Sequence, residues 1–97
     1  MCGINGFNFL DSQLLRKMEK FTLQRGPDAN GYYHDEDISL GHNRLSIIDT
    51  SDISNQPMIF GNYVISYNGE IYNYKYLRNY LIEKKVNLKT FSDTEVI

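Results

Sequence analysis

MCGINGF, residues 1–7, carries the only cysteine of a 97-residue chain. Removal of Met1 would make Cys2 the first residue, so that a thiol and a free α-amine share one residue. Such an amine titrates at roughly 7.7–8.0, so part of it is neutral near pH 7 and can accept the thiol proton, directly or through a water. The plainer reading is a small, half-buried apolar side chain near a chain end. Either way the stretch is short, apolar and interrupted by glycine, which predicts a first strand with the thiol at its start. The rest of the chain has to decide between the two.

Length and composition narrow the field. Ninety-seven residues make one ordinary small domain. Hydrophobic residues at 41% and charged residues at 23% are usual for a soluble globular protein. A lone cysteine excludes an internal disulfide framework and multi-cysteine zinc sites, no metal site is expected, and the thiol fits a reducing, cytoplasmic setting. The net charge of -2 offers no basic footprint for nucleic acid. No apolar run approaches the roughly 18 residues of a membrane span, and the N-terminus lacks a charged n-region before an apolar h-region.

Outward from residue 7, LDSQLLRKMEKFTLQRG (10–26) predicts a helix with Leu14, Leu15, Met18 and Phe21 on one face. Asp11 is its N-cap, Leu10 can staple onto Leu15, and Gly26-Pro27 ends it. GYYHDEDISLGHNRLSIID (31–49) reads as two strands joined by the turn HDED, and DTSDISNQP (49–57) as a polar loop. In NYVISYNGEIYN (62–73) apolar alternation runs to Asn68-Gly69. A helix capped by Asn73 follows, with Leu77, Tyr80 and Leu81 on one face, and LKTF (88–91) predicts one more strand. Ser92-Asp93-Thr94-Glu95 has the form of a capping box, yet Ile97 follows within the first turn. A helix so short is not stable alone, which predicts the front part of a longer protein.

Several residues admit both a structural and a chemical role. Asn-Gly between apolar runs is a strong hairpin signal, but an Asn amide beside an unobstructed Gly N–H also provides two donors for an oxyanion. Glu70 would then place a carboxylate close by, suited to a ligand ammonium. Arg44 on a strand is ordinarily a solvated or surface-paired side chain, although its planar fork suits bidentate binding of a carboxylate. Asp93 is either a helix-start residue or a second anion for an α-ammonium group. RGPD (25–28) is a good turn and implies no catalysis. His34 sits in a charged turn, while a structural hydrogen bond is expected of His42. Together these residues suit an amino-acid substrate with a side-chain amide.

MCGI, RGPD, RLSIID, QPM, YNGEIYN and SDTEVI, taken in this order from Met1 to Ile97, resemble the class II glutamine amidotransferases, and within them the asparagine synthetase branch. Related amidotransferases carry a His before the Asn-Gly pair, where this chain has Tyr67. Many relatives also have His before RGPD, where this chain has Gln24. The resemblance implies an α+β fold, the front part of an N-terminal nucleophile hydrolase domain. That domain is a four-layer α/β/β/α sandwich with antiparallel sheets and needs a longer chain than this. It further implies Cys2 as nucleophile, Asn68 and Gly69 as the oxyanion pair, Arg44 on the glutamine α-carboxylate, and Glu70 and Asp93 near the α-ammonium.

The expected reaction is hydrolysis of glutamine through a glutamyl thioester. The ammonia would pass to a C-terminal synthetase domain outside these residues, which uses ATP and magnesium to make asparagine from aspartate. No cofactor is expected within residues 1–97, the piece alone is expected to turn over little glutamine, and homo-oligomerisation stays open. The alternatives are the front end of an amidotransferase with a different acceptor, and a catalytically silent binding or regulatory fragment.

Overall fold

In the computed structural model, which describes residues 1–97, strand β3 (Ser39–Arg44) lies between β1 (Gly3–Phe7) and β2 (Ala29–His34) and is antiparallel to both. The acidic turn expected between β2 and β3 forms because Asp35 serves its own backbone. Its Oδ1 accepts from the amides of Asp37 at 2.8 Å and Ile38 at 3.0 Å. Those bonds, the Asp37 amide first, hold the Asp35 carboxyl below its ordinary pKa.

Helix α1 (Ser12–Thr22) packs on β1 and β3, and Asp11 caps it as expected, accepting from Leu14 N at 2.8 Å. The face it turns to the sheet is not the expected apolar stripe. Leu15 is fully buried, but Phe21 is 88% exposed and Glu19 only 2%. The cause lies in β3, whose helix-facing residues are Ser39, Gly41 and Asn43, so the helix meets them with polar partners. Thr22 Oγ1 donates to Asn43 Oδ1 at 2.7 Å and accepts from Asn5 Nδ2 at 2.8 Å. Ser39 Oγ donates to Phe9 O at 2.9 Å and accepts from Asp11 N at 3.1 Å. Leu10 remains half exposed and makes no tight staple.

The second sheet is the hairpin of β4 (Met58–Phe60) and β5 (Tyr63–Ile65), turning at Gly61-Asn62. Asn68-Gly69 is therefore no hairpin turn. It lies in the loop between β5 and helix α2 (Tyr74–Glu83). Asn73 stands at the N-cap of α2, but its side chain makes no capping bond. LKTF does not form a strand, because the carboxylate of Glu95 takes the amides it would have used for pairing. Glu95 accepts from Lys89 N at 2.6 Å, and from Thr90 N and Oγ1 at 2.7 and 2.6 Å. The reciprocal capping box does not form, because Glu95 is engaged by Lys89 and Thr90. Ser92 Oγ accepts from Thr94 N at 3.2 Å, and the turn that follows, Asp93–Val96, is 3-10.

Sixteen residues are buried, and twelve of them are polar or charged, Leu15 being the only apolar side chain among them. A polar interior holds only if its groups are paired. Glu19 breaks that rule most plainly, and His42 Nδ1 and Asn43 Nδ2 break it too. The Glu19 carboxylate faces the Tyr32 hydroxyl and the His42 amide but makes no hydrogen bond of ordinary geometry. Burial raises its pKa, against smaller opposing effects of Tyr32, the His42 backbone and Arg16. A carboxyl with a raised folded pKa stabilises the fold at pH below its unfolded value of about 4.3, and this is lost as pH rises through the folded value. Glu19→Gln should therefore raise the unfolding free energy at pH 7–8, by an amount on the order of 1 kcal/mol, read from denaturant or thermal unfolding. The gain should vanish near pH 4. Loss of stability at pH 7 would mean that the carboxylate is paired.

Candidate active site

Strand pairing brings the first two elements of the site together. Because Gly3 pairs with Asn43, extending the register by one residue sets Cys2 opposite Arg44, at one end of the sheet. The thiol rests on the backbone just beyond, its Sγ accepting from Leu45 N at 3.3 Å and lying 3.7 Å from Leu45 O. The RGPD turn buttresses this strand end. Gly26 lies so close to β3 that a Cβ there would stand 2.1 Å from Asn43 O. Asp28 donates its N–H to Arg44 O at 3.0 Å and accepts from Ser46 N at 2.7 Å.

Arg44 is buried, and its Nη1 donates to Ser51 O and to Asn55 Oδ1, both at 2.7 Å. One edge of the guanidinium is thereby held by the 51–55 loop. The loop itself is fastened by Asp49, which accepts from Ser51 Oγ and Ser54 Oγ at 2.5 Å, Ser51 N at 2.9 Å and Phe91 N at 2.8 Å. The two serine hydroxyls, ahead of the amides, hold the Asp49 carboxyl well below the usual carboxylate range.

The 67–71 segment closes the other side. Tyr67 N donates to Gln56 Oε1 at 2.6 Å, and Tyr67 O lies 3.3 Å from His42 Nε2. Burial pushes the His42 imidazole below its ordinary pKa, so the ring is neutral and donates from Nε2, which is the structural bond expected of it. Ile71 N donates to Asp93 Oδ2 at 2.9 Å, leaving Oδ1 free. At Gly69 a Cβ would stand 2.4 Å from the Tyr67 hydroxyl, so any larger residue there would have to displace that ring. The Gly69 N–H makes no bond to the protein backbone.

All six site residues expected from the sequence, Cys2, Arg44, Asn68, Gly69, Glu70 and Asp93, line one cavity of about 310 Å³. They come from four separate stretches of chain. Asp49, Gln56, Ser54, Tyr67 and Thr94 line it too, none of which the sequence reading singled out for the site. For Asp49 a local signal existed, since an Asp followed by Thr-Ser-Asp favours side-chain bonds to its own loop. For Gln56 nothing local existed, because its partners are 11 and 38 residues away.

Known proteins resemble the chain over most or all of its length. The glutamine amidotransferase domain family matches residues 1–97. The chain is 45% identical over 87 residues to asparagine synthetase [glutamine-hydrolyzing] 1 of Bacillus subtilis, covering 88% of this chain and 14% of that protein. It is 37% identical to putative asparagine synthetase [glutamine-hydrolyzing] 2 of Methanocaldococcus jannaschii, over all of this chain and 23% of that one. With asparagine synthetase [glutamine-hydrolyzing] 3 of Arabidopsis thaliana it shares 44% identity over all of this chain and 18% of the relative. The chain thus spans less than a quarter of the length of these three relatives. On the family match over its whole length, the chain belongs to the glutamine amidotransferase domain family.

Proposed function

We propose that residues 1–97 carry the glutamine-hydrolysing site of an asparagine synthetase, with Cys2 as its nucleophile. The observation that carries this reading is convergence: six residues of complementary chemistry, drawn from four stretches, meet in one cavity of amino-acid size. Arg44 turns its unoccupied guanidinium edge to the glutamine α-carboxylate, and Glu70 and Asp93 receive the α-ammonium. That fixes the substrate by its amino-acid end and leaves the side-chain amide for Cys2.

With Met1 removed, the α-amine of Cys2 takes the thiol proton and the sulfur attacks the carboxamide carbon. An S–C bond forms as the C=O π pair moves to oxygen, where the Asn68 amide and the Gly69 N–H stabilise the charge. The C–N bond breaks, ammonia leaves with the proton held by the amine, and water then splits the thioester to glutamate. The net change is glutamine plus water to glutamate plus ammonia. Met1 is 70% exposed, which suits its removal by a processing enzyme.

In this reading the two small sheets are parts of a four-layer N-terminal nucleophile hydrolase sandwich in a cytoplasmic protein. The ammonia is used by a synthetase domain with ATP and magnesium, and no residue of this chain is assigned to them. The names of the relatives support asparagine as the product.

Intact-mass analysis of the active protein should find Cys2 at the N-terminus, and quantitative retention of Met1 in an active enzyme would sink the α-amine as base. Cys2→Ala should abolish glutamate release and spare ammonia-dependent synthesis. Arg44→Lys keeps the charge and loses the fork, so the glutamine KM should rise about 10- to 100-fold while ammonia-dependent synthesis persists. Equal loss of both activities would assign Arg44 to folding instead.

A further inference from the structure

We propose that Gln56 is a positioning residue for amide hydrolysis, holding the Asn68-Gly69 segment and the Asp93 segment in a single closed hydrogen-bonded circuit. The inference rests on the glutaminase reading of the cavity and deepens it. Gln56 is 8% exposed and uses both ends of its amide. Oε1 accepts from Tyr67 N at 2.6 Å, and Nε2 donates to Thr94 Oγ1 at 3.0 Å. The two ends are not interchangeable, because the Tyr67 amide can only donate.

The circuit runs from Gln56 to Tyr67, along the loop to Ile71, through the Ile71 N–H to Asp93 Oδ2, and from Asp93 by one peptide bond to Thr94 and back. Within it lie Asn68, Gly69 and Glu70, which contribute three of the six expected site groups. His42 adds a grip from β3. The carbonyl it holds belongs to the peptide plane that begins Asn68, while the Tyr67 N–H held by Gln56 belongs to the plane before it. Two successive peptide planes are therefore fixed immediately before the proposed oxyanion donors. An oxyanion site requires donors placed to within about half an ångström, and a surface loop alone does not provide that.

The bonds nearest Gln56 fix the proposed oxyanion donors, which act only in the transition state, whereas Glu70 and Asp93 also bind the ground state. Loss of Gln56 should therefore lower kcat by more than it raises KM. At the full gene-encoded length, Gln56→Ala should lower kcat for glutamine about 10- to 100-fold and change the KM less than about threefold. Thr94→Val should lower kcat about tenfold, and Thr94→Ser should restore it. The double variant should cost no more than Gln56→Ala alone, since both changes open the same circuit. The aldehyde analogue of glutamine adds the Cys2 thiol across its C=O and mimics the tetrahedral intermediate, so its inhibition constant should rise in parallel with the fall in kcat.

Amide hydrogen exchange provides a readout that does not depend on turnover. Thr94→Val should lower protection across residues 67–71 and leave β1–β3 unchanged. Unchanged protection there would overturn the circuit, as would equal shifts in glutamine KM and the aldehyde's inhibition constant. A wild-type protein that released no glutamate would refute amide hydrolysis, and with it a catalytic use for the circuit, even where exchange showed the circuit intact.

Discussion

The carboxylate of Asp49 gathers four donors from three places, and the arrangement of the chain around the cavity depends on that gathering. Ser51 and Ser54 fold the 49–55 loop onto itself, and the amide of Phe91 ties the loop to a segment 42 residues away. The folded loop then offers Ser51 O and Asn55 Oδ1 to Arg44. In a domain with an oily centre, such bonds would trim an arrangement already set by apolar packing. Here Leu15 is the only buried apolar side chain, so the interior is specified by partners rather than by volume. Removing one member strands another buried group, and the cost falls on the group left behind.

Sheet register supplies what the loops cannot. The pairing of Gly3 with Asn43 sets residue 2 beside residue 44, and a slip of one residue would turn both to the other face. Gly26 and Asp28 press on the same strand end, so the RGPD turn, catalytically silent in itself, holds the backbone that carries Arg44, Leu45 and Ser46. The proposed nucleophile and the residue proposed to hold the substrate carboxylate are thus placed by main-chain bonds. The groups proposed for the ammonium and the oxyanion are placed by side-chain bonds to Gln56, His42 and the Asp93 carboxylate.

What the sequence made legible follows from this division. Strands β1, β2 and β3, the cap at Asp11 and the turn at Asp35 rest on local chemistry, and they could be read. The stripe Leu14–Phe21 misled because helical period reports which residues are alike, not which face the sheet accepts. The polar inner face of β3 chose Glu19 and Thr22 instead. LKTF has the composition of a strand, but Glu95 claims its amides, and Asn68-Gly69 has the composition of a turn that Gly61-Asn62 already provides. The six expected site residues came from a resemblance in order and motif, which carries three-dimensional information that spacing lacks. Gln56, present only as part of the QPM motif, shows no role of its own in the sequence, because a glutamine in a polar loop looks solvated until the segments at Tyr67 and Thr94 are folded against it.

In most of the interior, Glu19, His42 Nδ1 and Asn43 Nδ2 apart, side-chain donors and acceptors are spent on one another, whereas around the cavity several are kept back. The Gly69 N–H has no backbone partner, Asp93 keeps Oδ1 free, and Arg44 commits only Nη1. Protein groups able to satisfy all of these would have to enter from several directions and would fill the space. One free amino acid with an amide side chain brings a carboxylate, an ammonium and a carbonyl in a single small molecule, each suited to a different unspent group. On the proposed reading, then, glutamine completes a network whose protein half is already hydrogen-bonded, so less ordering is left to be done when the substrate binds. On the same reading, donors bonded into place would serve the nearly planar ground-state amide less well than the tetrahedral intermediate, whose oxygen would move out toward them as sulfur adds.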